Sequence, residues 1–428
     1  MRVFFLLASA TITAAAYVKG QAFDRFITIW LEKQDFSKVS ENADIVALRK
    51  QGVLLTNYYG LSHPSQPNYI ASICGDYFGL NHDGLIKIPS NVSTVVDLFD
   101  AKNIEWKGYF ESLPGPGYMG EGSTSSDGTG WDYVRQHNPF VSFDRIRQNG
   151  TRLLRLQDFS SFHRDVEANT LPQYSFLSPN MLNNGHNTSL TFATSWLSSF
   201  LPPLLSNPTF MNRTLILLTY DESETSALPN RVASLLLGGA VPDNLKGTED
   251  STVYSHYSIL STLQNNFVLP TLGRYDAGAN VFSLVAKETG YINHAPPASA
   301  HPVNNSLSYK GFLNDDPGKF LRIPSPNLKL TGAGGLGPER MVKVLWITRE
   351  KELTPYDGSG RFFDGGNGTE GEGNEPLYGP QKPAPVSTNL PEGSKGPVMR
   401  SGGSGVGRHF VGAGGFGFVF WSLVGLGF

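Results

Sequence analysis

The 428-residue chain contains one cysteine, Cys74. A lone thiol cannot close an internal disulfide, and without His or Cys neighbours it does not start a zinc site. The expected role is that of a small buried apolar side chain. Charge is also scarce. Asp, Glu, Lys and Arg make up 17% of the chain and the formal net charge is −3, so there is no basic field to draw in nucleic acid, and no nucleic-acid partner is expected. Internal repeats are missing too. Glycine (47) and proline (28) are plentiful, and their excess lies toward the C-terminal end.

Both ends carry targeting patterns. Arg2 precedes the apolar run Val3 to Ala8 and the small residues Ala14, Ala15 and Ala16. This is the layout of a secretory signal, too short to span a bilayer, with cleavage expected after Ala16 or Gly20; we take residues 1–20 as the signal peptide. Six N-x-S/T sequons, at Asn91, Asn149, Asn187, Asn212, Asn304 and Asn367, agree with a secreted glycoprotein. Residues 301–409 are rich in Gly, Pro, Ser and Glu, broken by the apolar segment Met341 to Ile347, and read as a largely disordered stalk. Residues 410–428 are uncharged and mostly apolar and follow the small residues Ser401 to Gly405, the pattern of a GPI-attachment signal. The expected location is secreted or cell-surface, with membrane contact only through such an anchor.

Residues 21–300 alternate short apolar runs with helical patterns. Phe26 to Leu31, Val53 to Tyr58, Tyr174 to Leu177, Leu215 to Leu218 and Ala233 to Leu237 are unbroken apolar runs of strand length. Such runs suit strands covered on both faces, as in a parallel sheet. Ser93 caps one expected helix, and Ser189 to Leu205 forms another. The sum is a layered α/β/α domain around a mostly parallel central sheet.

Two of these strands run straight into acids: Leu31 into Glu32, and Tyr220 into Asp221 and Glu222. In an open parallel sheet, ligands bind beyond the carboxyl ends of the strands. Three carboxylates gathered there repel one another unless a cation neutralises them. The segment His63-Pro64-Ser65-Gln66-Pro67-Asn68 also follows a strand, and two prolines flanking a serine suit a rigid turn that presents a hydroxyl. His63 and Asn68 are candidate substrate contacts in that turn. Further loops supply Asn184, His186 and Asn187 on one side and His256 on the other. Taken singly, each acid also suits a helix cap and each histidine a structural role.

In order, the blocks ITIWLE, NYYGLSHPSQPNYIASICGDYFGL, SPNMLNNGHNTS, LILLTYDES, NRVASLLLGGAVP, HYSILSTLQNNF and TLGRYDAGANV span Phe23 to Val281. Together they resemble the fungal secreted acid phosphatases of the phosphoesterase family, which also holds bacterial acid phosphatases and phospholipases C. The resemblance implies an alkaline-phosphatase-like fold, a small phosphate ester as substrate and Ser65 as nucleophile. It also implies a divalent metal ion of unknown identity on Glu32, Asp221 and Glu222. His186 and His256 are then expected to contact phosphate or protonate the leaving group, with His63, Asn68 and Asn184 binding substrate. The sequence departs from the family pattern at Lys33, where asparagine is usual, and at Asn184 and Asn187, where aspartates are usual. A lysine beside Glu32 would compete with a cation, which predicts weak metal affinity. A phosphodiesterase of the phospholipase C type and a catalytically silent surface protein on the same fold stay open as alternatives.

Overall fold

A computed structural model of the chain describes residues 17–125, 128, 130–295, 308–349 and 354–360. Most of the expected signal segment, the sequons at Asn304 and Asn367, residues 361–409 of the expected stalk and the expected anchor signal lie outside the described residues.

The strands of the main sheet are β1 (Arg25–Leu31), β2 (Val53–Tyr59), β3 (Trp106–Phe110), β4 (Leu156–Gln157), β5 (Tyr174–Ser178), β6 (Thr214–Tyr220), β7 (Arg231–Leu237), β8 (Thr248–Asp250) and β9 (Tyr254–Ser255). Among the described residues they form one nine-stranded sheet in the order β8-β2-β7-β6-β1-β5-β3-β4, with β9 also pairing β2. All neighbours are parallel except β7, which runs antiparallel to both β2 and β6. The expected mostly parallel sheet is therefore present. Every residue of β1 and β6 is buried, because both strands lie at the centre of the sheet with helices on each face.

Parallel order brings the C-terminal ends of β1, β2, β5, β6 and β9 to one edge. The pairing of Leu31 with Tyr220 sets Glu32 directly beside Asp221, and the Asp221 N–H donates to the Leu31 carbonyl across 3.2 Å. On the other flank of β1, the Glu32 N–H donates to the Asn184 carbonyl in the loop after β5 at 2.9 Å. Gly60, just past β2, lets its backbone approach β6: a Cβ there would stand 2.8 Å from the Asp221 carbonyl oxygen.

Helix α1 (Ser65–Cys74) follows β2 and is buried along its whole length. Ser65 is thus the first residue of a helix rather than the apex of a turn. Pro67 fits the first turn, where its missing N–H has no intrahelical partner to lose. Helix α2 (Leu190–Leu205) is capped by Ser189, as expected. Thr94, not Ser93, caps the helix Val95–Ala101, and the Asp97 carboxylate accepts its N–H at 2.9 Å. Cys74 is buried and free.

Two domain boundaries differ from expectation. Val18 donates its N–H to Gln173 Oε1 at 3.0 Å and accepts from Gln173 Nε2 at 2.6 Å, so the folded body begins before residue 21. The described part of the expected stalk packs on the domain. Its apolar segment forms the helix Arg340–Trp346, burying Val342 and Trp346, and the Trp346 indole donates to the Asn91 carbonyl at 2.7 Å. The hydroxyls of Tyr309 and Tyr356 both donate to the carboxylate of Asp76, buried just past the end of α1. A few large apolar or aromatic side chains in a Gly/Pro-rich stretch are enough to dock it when a preformed surface receives them.

Candidate active site

Four of the predicted residues meet at the sheet edge. The Ser65 hydroxyl lies 3.1 Å from Glu32 Oε2 and 3.3 Å from Glu222 Oε1, within hydrogen-bonding reach of both. Asp221 lies across the strand pair from Glu32 and directly precedes Glu222 in the chain. Ser65, Glu32, Asp221 and Glu222 are all at most 3% exposed. His63 closes one side, its Nδ1 against Glu222 Oε2.

Packing away from water works against the ionisation of Glu32 and Asp221. Burial lifts Glu32 to about 8; the charge of Glu222 adds to this, and hydrogen bonds from Tyr69 and Ser65 partly offset it. Asp221 is raised well above the ordinary range by burial, then by the charges of Glu32 and Glu222.

Two residues that the sequence did not single out join the site. The Tyr69 hydroxyl, one helical turn after Ser65, donates to Glu32 Oε1 at 2.5 Å. His137 brings Nε2 to within 3.1 Å of the same oxygen and stacks on the Tyr69 ring, with centroids 5.1 Å apart. Burial holds its imidazole well below the usual range, so it is neutral. The i, i+4 spacing of Ser65 and Tyr69 was the available signal for the tyrosine. For His137, a lone histidine in an irregular stretch, there was none.

Other candidates take different places. His256 is fully buried behind the site. Its Nε2 meets the backbone carbonyl of Asp221 at 2.6 Å and its Nδ1 the Tyr58 hydroxyl at 3.2 Å. Burial lowers it to about 4. With both ring nitrogens engaged and no exposure, it supports the Asp221 backbone. Asn68 is likewise internal: its Oδ1 accepts the Leu61 and Ser62 N–H groups and its Nδ2 donates to the Ser62 carbonyl, so it shapes the loop before Ser65. Asn184 is buried beside Glu32. Its Oδ1 accepts the His186 N–H at 2.8 Å, and its Nδ2 has no partner. His186 is half-buried at the rim, with Nδ1 2.9 Å from the Oδ1 of exposed Asn187. Asp83, also at the rim, accepts the Gln66 N–H at 2.9 Å.

Lys33 is exposed, whereas Glu32 before it is fully buried.

The phosphoesterase family model matches residues 18–270 of the chain. The chain belongs to the phosphoesterase family. This phosphoesterase is 45% identical over 341 residues to a probable acid phosphatase of Kluyveromyces lactis, covering 79% of this chain and 80% of that one. It is 46% identical to an acid phosphatase of Aspergillus niger, over 79% of this chain and 82% of the other. A phosphatidylinositol-3-phosphatase of Mycobacterium tuberculosis is 28% identical, over 59% and 73% of the two chains. Solved structures with detectable likeness include a protein of the alkaline phosphatase superfamily from Vibrio parahaemolyticus, 11% identical with TM-score 0.38 over 56% of this chain and 65% of that one. No described helix of this phosphoesterase is long and apolar enough to cross a membrane.

Proposed function

We propose that this protein is an acid phosphatase that hydrolyses phosphate monoesters through a phosphoserine at Ser65. The observation that carries the reading is the Ser65 hydroxyl at a helix N-terminus, within hydrogen-bonding reach of two buried carboxylates. Relatives with that printed activity cover most of the chain.

The donor set suits a divalent cation. The Asp221 carboxylate is fully buried beside Glu32 and Glu222, whose charges work against its own, a costly state for hard anionic oxygens that a cation relieves. Glu32, Asp221 and Glu222 would hold it, although among the described residues no three His, Cys, Asp or Glu side chains as placed already close round a single point. When bound, such an ion supplies charge stabilisation to the phosphoryl oxygens.

The chain's own residues carry the steps. The Ser65 proton passes to Glu222 as Oγ attacks phosphorus, forming the P–Oγ bond and breaking the bond to the leaving oxygen. Helix N–H groups at the start of α1 favour the negative charge that gathers there. His186, at the rim and partly open to solvent, is placed to protonate the leaving alkoxide. Water then attacks the phosphoserine, the P–Oγ bond breaks, and Ser65 regains its proton as inorganic phosphate leaves. His63 fixes Glu222, Tyr69 and His137 fix Glu32, and His256 fixes the Asp221 backbone.

Turnover of p-nitrophenyl phosphate by the purified protein, with and without chelator, tests the reading. Monoester turnover that falls on chelation supports it. Protein that is folded but inert toward monoesters, with or without added divalent ions, overturns it.

A further inference from the structure

The loop between β5 and α2 is pinned to the site, where the Glu32 N–H donates to the Asn184 carbonyl at 2.9 Å. It also closes on itself. The Asn187 N–H donates to the Met181 carbonyl at 2.9 Å, and the Thr188 hydroxyl donates to the Leu182 carbonyl at 2.6 Å. The Asn187 backbone is thereby held, while its side chain is exposed with Oδ1 2.9 Å from His186 Nδ1. The His186 ring lies 6.2 Å, centroid to centroid, from that of His137, whose Nε2 is 3.1 Å from Glu32 Oε1. Contacts therefore run from exposed Asn187 through two imidazoles to the carboxylate that the Ser65 hydroxyl meets.

Asn187-Thr188-Ser189 is also a sequon. We propose that Asn187 is N-glycosylated and that its glycan, rooted one hydrogen bond from His186, narrows the entrance so that small phosphate monoesters enter and phosphoproteins do not. This rests on the phosphatase reading above and on the secretory route that the N-terminal pattern implies. In the transfer, Asn187 Nδ2 bonds to the anomeric carbon of an N-acetylglucosamine. The bond from that carbon to the diphosphate of a lipid-linked oligosaccharide breaks, and one Nδ2 proton departs with the lipid diphosphate. The contact to His186 uses Oδ1, so the modification leaves it in place. A bulky group at the rim discriminates by clash, and it acts on large substrates without touching the bond being broken.

Position 189 separates the glycan from the loop. Ser189 caps α2, its hydroxyl accepting the Phe192 N–H at 3.2 Å. Threonine and glycine rank alike as N-caps, so Ser189→Thr and Ser189→Gly differ in the sequon and not in the cap. The full chain and both variants are secreted from a yeast host, and mass spectrometry reads the peptide that contains Asn187. Phosphate release gives kcat/KM for phosphorylated casein and for p-nitrophenyl phosphate. Asn187 should carry a glycan in the wild type and in Ser189→Thr and none in Ser189→Gly. The casein value should rise about tenfold in Ser189→Gly, the low end of the ~1–3 decades over which association at one interface varies. It should stay at the wild-type level in Ser189→Thr, and the p-nitrophenyl phosphate value should be unchanged in both. An unmodified Asn187 in the secreted wild type overturns the proposal, as does a casein value that does not rise in Ser189→Gly or rises equally in Ser189→Thr. Hydrolysis of neither substrate by any form would count against the phosphatase reading itself, while mass spectrometry still decides the glycan. A circular dichroism spectrum matching the wild type confirms that the variants are folded.

Discussion

The Ser65 hydroxyl and the Glu32 carboxylate meet across 3.1 Å although 33 residues separate them in the chain. Each sits past the end of a strand that runs in the same direction, so the sheet order brings them together. Their contact orients the serine hydroxyl, and burial keeps on Glu32 a proton that a free glutamate would have lost.

Replacing Ser65 with alanine removes one oxygen from a buried position and should leave the fold intact. Activity toward p-nitrophenyl phosphate should drop by at least about a hundredfold, as losing a nucleophile costs orders of magnitude. Steady-state rates together with a thermal melt check both parts.

His256 offers a contrast. Acting through Asp221, it should affect stability and rate without setting a protonation step. His256→Ala leaves a cavity and an unpaired carbonyl in the interior, for a cost of about 2–4 kcal/mol in denaturant unfolding. The shape of the kcat–pH profile should be unchanged in the residual activity; loss of its basic limb would make His256 a proton donor after all.

The pH dependence of stability follows from Glu32. Its folded value near 8 lies above the ordinary 4.5, so between those values the unfolded chain gives up a proton that the folded chain keeps. The folded state loses stability across that window as pH rises. His256 works in the opposite sense: held near 4 against an ordinary 6.5, it costs stability as pH falls from 6.5 to 4. Between pH 6.5 and 8 the Glu32 effect stands apart from that of His256. Urea midpoints in chelator should fall as pH rises through that interval, and the fall should be shallower in Glu32→Gln. Equal slopes in the two proteins would contradict the assignment.

The docked C-terminal segment should carry stability. Tyr356 donates to Asp76 and accepts from Arg274 Nη1 at 2.7 Å, all three being buried. Tyr356→Phe removes both bonds and leaves polar partners unpaired, for about 1–3 kcal/mol. Chemical denaturation of the full chain measures it.

The sheet was legible because β1, β2, β5, β6 and β7 are mostly apolar runs of strand length; that β7 runs antiparallel was not, since a buried run looks the same in either direction. The acids at the ends of β1 and β6 could be read as a site because strand direction fixes where they gather. That His256 and Asn68 lie fully buried was not legible, because identity and spacing do not reveal which side chains face inward. The docking of residues 308–349 and 354–360 was hidden by a Gly/Pro-rich composition in which the anchoring Tyr309, Trp346 and Tyr356 are isolated, and their partners, Asp76 and Arg274 for the tyrosines and Asn91 for the tryptophan, are far away in sequence.

The most direct measurement is acid quenching of the protein during turnover of a phosphate monoester, followed by mass spectrometry of the peptide that contains Ser65. The account predicts a phosphoryl group on Ser65 in the wild type and none anywhere in Ser65→Ala. Active enzyme that carries no phosphoryl group on Ser65 at any time, together with a Ser65→Ala variant retaining more than about a tenth of wild-type turnover, would contradict it.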